Sequence, residues 1–411
     1  MALVKNPGAN CTVAFDRAFS TAHLRARSGP APYPEPDLVQ HLISRETLRT
    51  LNRQCSSLYD RSQNIVRFRG VFLHSSPMAS YMAGSQSCCR ELADAMFVVY
   101  VSEPDANGMH VIVRRSAFLL MFKKTGSRRP RAFRYDPGGG IDPQGTDQQQ
   151  FYLYNQWPRF ELRLAHNGAL AGVYDINTGG VPHDIGKYAL VWDPRAGRAR
   201  WSIGTQDVHW LAGQPVPRFP MDPSTTSLGR QLEALIDGAP GTVGRDFSPR
   251  PAAAGDWDGL MGTLLGYPSA PGIPAGGSLL DHSKWKGVPR HVNPAALGLM
   301  SFGSSLGMER LEHLSLVQAT LRQELRDGYH SPYLPGALRR SSRALNRLAE
   351  HLSAQGSAPC AGARRFPVLI ASVTRFNSAE RRPVAEKRAD QPGGERDRLL
   401  DTLVECVFDY L

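Results

Sequence analysis

Nowhere does this chain hold an apolar run of the roughly 18 to 20 residues that a membrane-crossing helix needs. Its opening, MALVKNPGANCTVAFDRAFSTAH, lacks a basic stretch followed by an unbroken apolar one, so no cleaved secretory signal is expected. Secretion through a route that reads a loose N-terminus, with action in a host cytoplasm, stays compatible with such a start. Cysteine is sparse. Cys11, Cys55, Cys88, Cys89, Cys360 and Cys406 are the whole set, and their spacing fits neither a zinc knuckle nor a dense disulfide framework, so free thiols and no structural metal are expected. Two catalytic signatures are also missing: the His-Glu-x-x-His zinc helix and the phosphate-binding loop. The glycine run Gly138-Gly139-Gly140 is not followed by Gly-Lys-Ser/Thr. A cysteine nucleophile at Cys88 or Cys89 would need a distant histidine such as His166 or His209, and nothing in the sequence brings these together.

What is present is a chain of 411 residues, 41% hydrophobic, with 39 glycines and 31 prolines, enough for one large core or two ordinary ones. The formal charge of +11 concentrates at Arg114, Arg115, Lys123, Lys124, Arg128, Arg129, Arg131 and Arg134. No regularly spaced aromatics accompany this cluster, so a solvated basic face is expected rather than a nucleic-acid platform. Oligomeric state cannot be read from these features.

Residues 1–20 read as an irregular N-terminus, and the whole stretch to about 36 as lacking regular structure, with SGPAPYPEP as a breaker. Leu38, Leu42, Leu48 and Leu51 give Asp37–Gln54 a helical face. NIVRFRGVFL, FVVYV and MHVIVRR read as strands, and SQSCCRELADAM as a short helix carried by Cys89, Leu92, Ala93 and Met96. QFYLYN, RFELRLA, LAGVYDI and KYALVWD read as further strands, followed by a hairpin signal in DPRAGRARWSIG. The fold class expected is α+β: a mixed, sheet-rich core over 21–210 and a helical C-terminal part. Residues 211–300 form a Pro/Gly-rich extension with one helix near Ser227–Ile236. Residues 301–411 form the helical region, with helices at Met308–Leu325 and Ala337–Ser353 and a polar, mobile segment at 377–398. FPVLIASVTRF has strand composition without alternation, so its type stays open. Leu399, Leu400, Leu403, Val404, Val407 and Phe408 form one face of a final helix that the domain or a partner must cover.

The order of features is the functional clue. An early arginine is followed by Ser85-Gln86-Ser87, an aromatic strand with Tyr100, and VYDINTGGVPHDI, in which Asp175 precedes Gly179-Gly180-Val181-Pro182. This order resembles the cholera-toxin-like and pierisin-like branch of the ADP-ribosyltransferases, over residues 20–195 at most. The resemblance implies an ADP-ribosyltransferase-like core that moves ADP-ribose from NAD, bound as substrate, to a target protein. By family analogy a secreted bacterial effector would act on a host regulator such as ubiquitin or a small GTPase. The carboxylate would be Asp175, where the family has a glutamate placed one position away; Glu161 on RFELRLA is the second candidate. Ser85 or Ser87 would brace the sugar and the acid, Tyr100 would contact nicotinamide, and Gly179 and Gly180 would shape the turn. Arg25 is preferred for gripping the pyrophosphate, then Arg69, then Arg61. The plainer readings are a helix cap for the serines, sheet core for Tyr100 and a simple turn for Gly-Gly-Val-Pro; His183 and Asp184 would point to opposite faces of a strand. The alternative function is a non-enzymatic interaction module that uses the basic face and the apolar side of the last helix at Leu403 and Val407.

Overall fold

The computed structural model describes residues 3–27, 38–39, 41–60, 63–74, 77–106, 110–125, 145–163, 170–177, 184–192, 201–203, 206–208, 210–213, 226–238, 243–248, 256–265 and 365–376. The C-terminal helices expected at Met308–Leu325, Ala337–Ser353 and Leu399–Phe408 lie outside these residues, as does the segment 377–398.

The N-terminal stretch is not irregular. Asn10 caps helix α1 (Cys11–Arg27), its side-chain oxygen accepting from the Val13 amide at 3.0 Å. Cys11, Phe15, Ala18, Phe19 and Ala22 make its buried stripe at helical spacing. The helix expected over Asp37–Gln54 is interrupted, because Ser44 accepts from the Thr47 amide and starts α2 (Arg45–Leu58) afresh.

Strands β1 (Asn64–His74), β2 (Met78–Ala83), β3 (Gln86–Glu91), β4 (Ala95–Pro104) and β5 (His110–Thr125) follow. SQSCCRELADAM is therefore strand, turn and strand rather than helix. Ala83 pairs with Gln86 across Gly84-Ser85, and Gly84 sits at φ +62°, the backbone that a two-residue hairpin turn demands. QFYLYN is also corrected, since it lies within helix α3 (Thr146–Gln156). Burial of Phe151 and Tyr154 against Tyr188 overrides the strand preference of its aromatics.

Then come β6 (Phe160–Arg163), β7 (Leu170–Tyr174), β8 (Gly186–Trp192), β9 (Trp201–Ile203), β10 (Gln206–Val208), β11 (Trp210–Gly213), β12 (Thr226–Ser227), helix α4 (Leu228–Asp237), β13 (Arg245–Asp246), helix α5 (Trp257–Leu265) and β14 (Arg365–Arg375). The main sheet runs β1-β14-β4-β5-β8-β11-β12, with β13 on β5. It is mixed, because β14 lies parallel to β4 and β8 parallel to β5 while its other pairs are antiparallel. The protein thus has a mixed α+β fold with a multi-strand sheet.

The sheet is not complete by residue 210. Its second position is filled by β14, which settles as a strand the segment FPVLIASVTRF whose type the sequence leaves open, and Val368, Leu369, Ile370 and Ala371 are all buried. A strand covered on both faces needs no polar alternation, which is why FPVLIASVTRF shows none. β9 pairs with β10, while most of DPRAGRARWSIG, where the hairpin is expected, lies outside the described residues.

One face of the sheet meets α1: Phe19 packs on Phe97, and Trp210 donates its indole N–H to the Phe19 carbonyl at 3.1 Å. The opposite face presents Tyr188 to α3. A separate antiparallel sheet, β3-β2-β6-β7, lies next to α3, where the Tyr81 hydroxyl donates to the Gln149 carbonyl at 2.5 Å.

Candidate functional site

The small sheet carries most of the sequence-nominated residues, and its alternation decides which of them meet solvent. Tyr81, Phe160, Leu162 and Tyr174 point inward and are buried. Ser87, Met82, Glu161 and Val173 point the other way and are exposed. Ser80 stands opposite both Glu161 and Cys89, and Val173 stands opposite Glu161. Side chains facing one another across antiparallel strands share a side, so Ser87 and Glu161 lie on one solvent-facing surface. They do not touch. With two strand spacings between them and two residues of offset, they stand about 12 Å apart.

Asp175 directly follows β7 and is exposed. Its neighbours are both fixed. Tyr174 is 1% exposed, and its hydroxyl shares a 2.6 Å hydrogen bond with Thr263 of α5. Ile176 is equally buried, and its carbonyl accepts from Arg245 Nη1 at 2.9 Å. One step beyond the Phe160–Tyr174 pair, the register puts Asp175 in the row of Met82 and Ser87. Three strand spacings, about 14 Å, then separate Asp175 from Ser87. The serine that the resemblance would use to brace the acid is too distant to contact Asp175.

The remaining candidates fall elsewhere. Ser85 occupies the β2–β3 turn and is exposed. Tyr100 is 3% exposed in β4, between Arg115 of β5 and Ser372 of β14. Arg25 lies on the exposed side of α1, and Arg69 lies in β1 opposite Ile370. Neither arginine belongs to the small sheet. Gly179, Gly180, Val181, Pro182, His183 and Arg61 lie outside the described residues, as do His166 and His209.

Three residues of this region had no sequence signal of their own. Arg163 of β6 lies 3.7 Å from Glu161, and both side chains are substantially exposed, so the pair contributes at most about 1 kcal/mol. Thr263 was hidden in an apolar helix. Arg245 holds both ends of the segment that contains Gly-Gly-Val-Pro. Its Nε and Nη2 donate to the Asp184 carboxylate at 3.1 and 2.9 Å while Nη1 takes the Ile176 carbonyl. Asp184 is thereby committed to an ion pair. Arg114, from the basic cluster, is committed as well: it donates to the Leu235 and Ile236 carbonyls at 3.2 and 2.7 Å, where a cation complements a helix C-terminus.

Among the described residues no three His, Cys, Asp or Glu side chains gather to hold a metal ion, and no helix is long and apolar enough to cross a membrane. Chemically, the region offers exposed carboxylates on a braced sheet and hydroxyls on the same side. No family model matches the chain, and no curated protein or solved structure does either.

Proposed function

We propose that the chain transfers ADP-ribose from NAD to a target protein, with Asp175 as the carboxylate that faces the reacting sugar. The observation that carries this reading is the contrast at residues 174–176. An exposed acid stands between two buried residues, each tied by a hydrogen bond to a different part of the fold. A carboxylate on so braced a backbone is organised before substrate arrives, the condition under which a charge stabilises a transition state without reorganising. As the bond between nicotinamide and ribose breaks, its electron pair leaves with nicotinamide and positive charge develops on the sugar. The acid opposes that charge while a nucleophile of the target attacks the sugar carbon and loses its proton to solvent. Glu161, on the adjacent strand and the same surface, is the second carboxylate within the site. Ser87 and Ser85 lie across the sheet from Asp175, where they serve the dinucleotide rather than the acid.

Incubating the full chain with NAD labelled in its ADP-ribose part, together with a cell lysate, tests the reading. Label on a discrete protein band, with matching nicotinamide release, is expected. Neither label nor released nicotinamide contradicts it.

A second reading, a non-enzymatic binding module, is favoured by the exposed Met82, Leu170 and Val173 of the same small sheet. It expects NAD to leave backbone exchange unchanged across that sheet, and partner capture to be lost in Met82→Asp.

A further inference from the structure

We infer that Arg245 is the positioning residue for the Asp175 carboxylate, an inference that rests on the transferase reading. Arg245 belongs to β13, which pairs with the central strand β5 through Arg245–Ala117 and Asp246–Ser116. The segment around it is held at three further points. The Trp257 indole N–H donates to the Arg245 carbonyl at 3.3 Å, the Phe247 amide donates to the Arg115 carbonyl at 2.9 Å, and the Gly244 amide donates to the Asp184 carbonyl at 3.0 Å. From this base the guanidinium reaches the Ile176 carbonyl, one residue past Asp175, and grips Asp184 with two parallel hydrogen bonds.

The small sheet therefore hands its acid to solvent at a point that the Arg245 side chain ties to the main sheet. A planar fork with several donors meets both carboxylate oxygens in parallel and still reaches the carbonyl; a lysine ammonium keeps the charge but not that geometry. Losing the fork frees the backbone beside Asp175 without removing the acid. Because orientation rather than binding is lost, the effect belongs in kcat.

The test compares nicotinamide release and backbone amide exchange in the full chain, in Arg245→Lys and in Asp184→Asn. The second variant leaves the arginine in place but weakens its anchor, and it serves if the first does not fold. A folded variant is expected to lose tenfold or more in kcat with KM within threefold of the parent, and to exchange the amides of Tyr174–Asn177 at least tenfold faster. An active parent whose folded variants keep both kcat and exchange overturns the positioning role and leaves the transferase reading standing. A parent that releases no nicotinamide overturns both.

Discussion

Asp16 shows how a buried side chain here serves structure rather than chemistry. Its carboxylate accepts from the Gly229 amide at 2.8 Å, at the N-terminus of α4, where the helix dipole favours a negative charge. Burial nevertheless dominates and raises the group to about 6 from 3.8, with nearby Glu233 adding to the rise and hydrogen bonds from Ser227 and Gly229 opposing it. Because the folded state holds this proton more tightly than the unfolded one, its stabilising contribution is fully present below about pH 4. It is lost as pH rises through about 6. The difference amounts to at most about 3 kcal/mol. Urea unfolding from pH 4 to pH 7 should show this component in the parent and not in Asp16→Asn, which keeps an acceptor for Gly229. Equal pH profiles for the two proteins would contradict the assignment. At this scale the sequence was only partly legible. Asp175 and Glu161 could be singled out as carboxylates, but the residues that fix their surroundings, Arg245 and Thr263, come from stretches with no motif. Their roles arise from contacts 69 and 89 residues away in the chain.

Elements were legible where the apolar period was clean and misread where turn chemistry or tertiary burial decided. Strands β1, β4, β5, β6, β7 and β8 and helix α4 followed their composition. α1 keeps a helical spacing in Cys11, Phe15, Ala18, Phe19 and Ala22, and the breaker beginning at Ser28 ends that helix without disordering what precedes it. β3 was read as a helix because Cys89, Leu92, Ala93 and Met96 mimic that spacing, while Gly84 and a partner strand determine the outcome.

The crossing of α1 and α4 gives a sharp prediction. A methyl group added at Gly229 would lie 2.6 Å from Asp16 Oδ1 and 2.7 Å from both the Asp16 nitrogen and the Thr12 carbonyl oxygen. Two of these are backbone atoms and cannot swing aside. Gly229→Ala should therefore force the helices apart and cost about 1 to 3 kcal/mol, read as a lower urea midpoint with unchanged slope. An unaltered midpoint would mean that the helices do not approach this closely.

For the whole molecule, the decisive fact is that β14 lies between β1 and β4, with eleven paired positions on one side and seven on the other. Local composition could say that FPVLIASVTRF favours a strand. It could not say that this strand completes a sheet begun about 300 residues earlier, because strand pairing over such a separation leaves no periodic trace in sequence. Since Ile370 is fully buried there, Ile370→Ala should cost about 2 to 5 kcal/mol, measured by urea unfolding, and a loss below 1 kcal/mol would show that the strand is peripheral. In the parent, the amides of Val368–Thr374 should exchange as slowly as those of β4. The backbone beside Asp175 depends on this same assembly, because Arg245 reaches the Ile176 carbonyl from a strand on β5.

Nicotinamide release by the full chain and by Asp175→Asn, which keeps the size of the side chain and removes its charge, is the most direct measurement. The account predicts turnover by the parent and a fall of at least a hundredfold in the variant at an unchanged melting temperature. Equal turnover in the parent, in Asp175→Asn and in Glu161→Gln would contradict it.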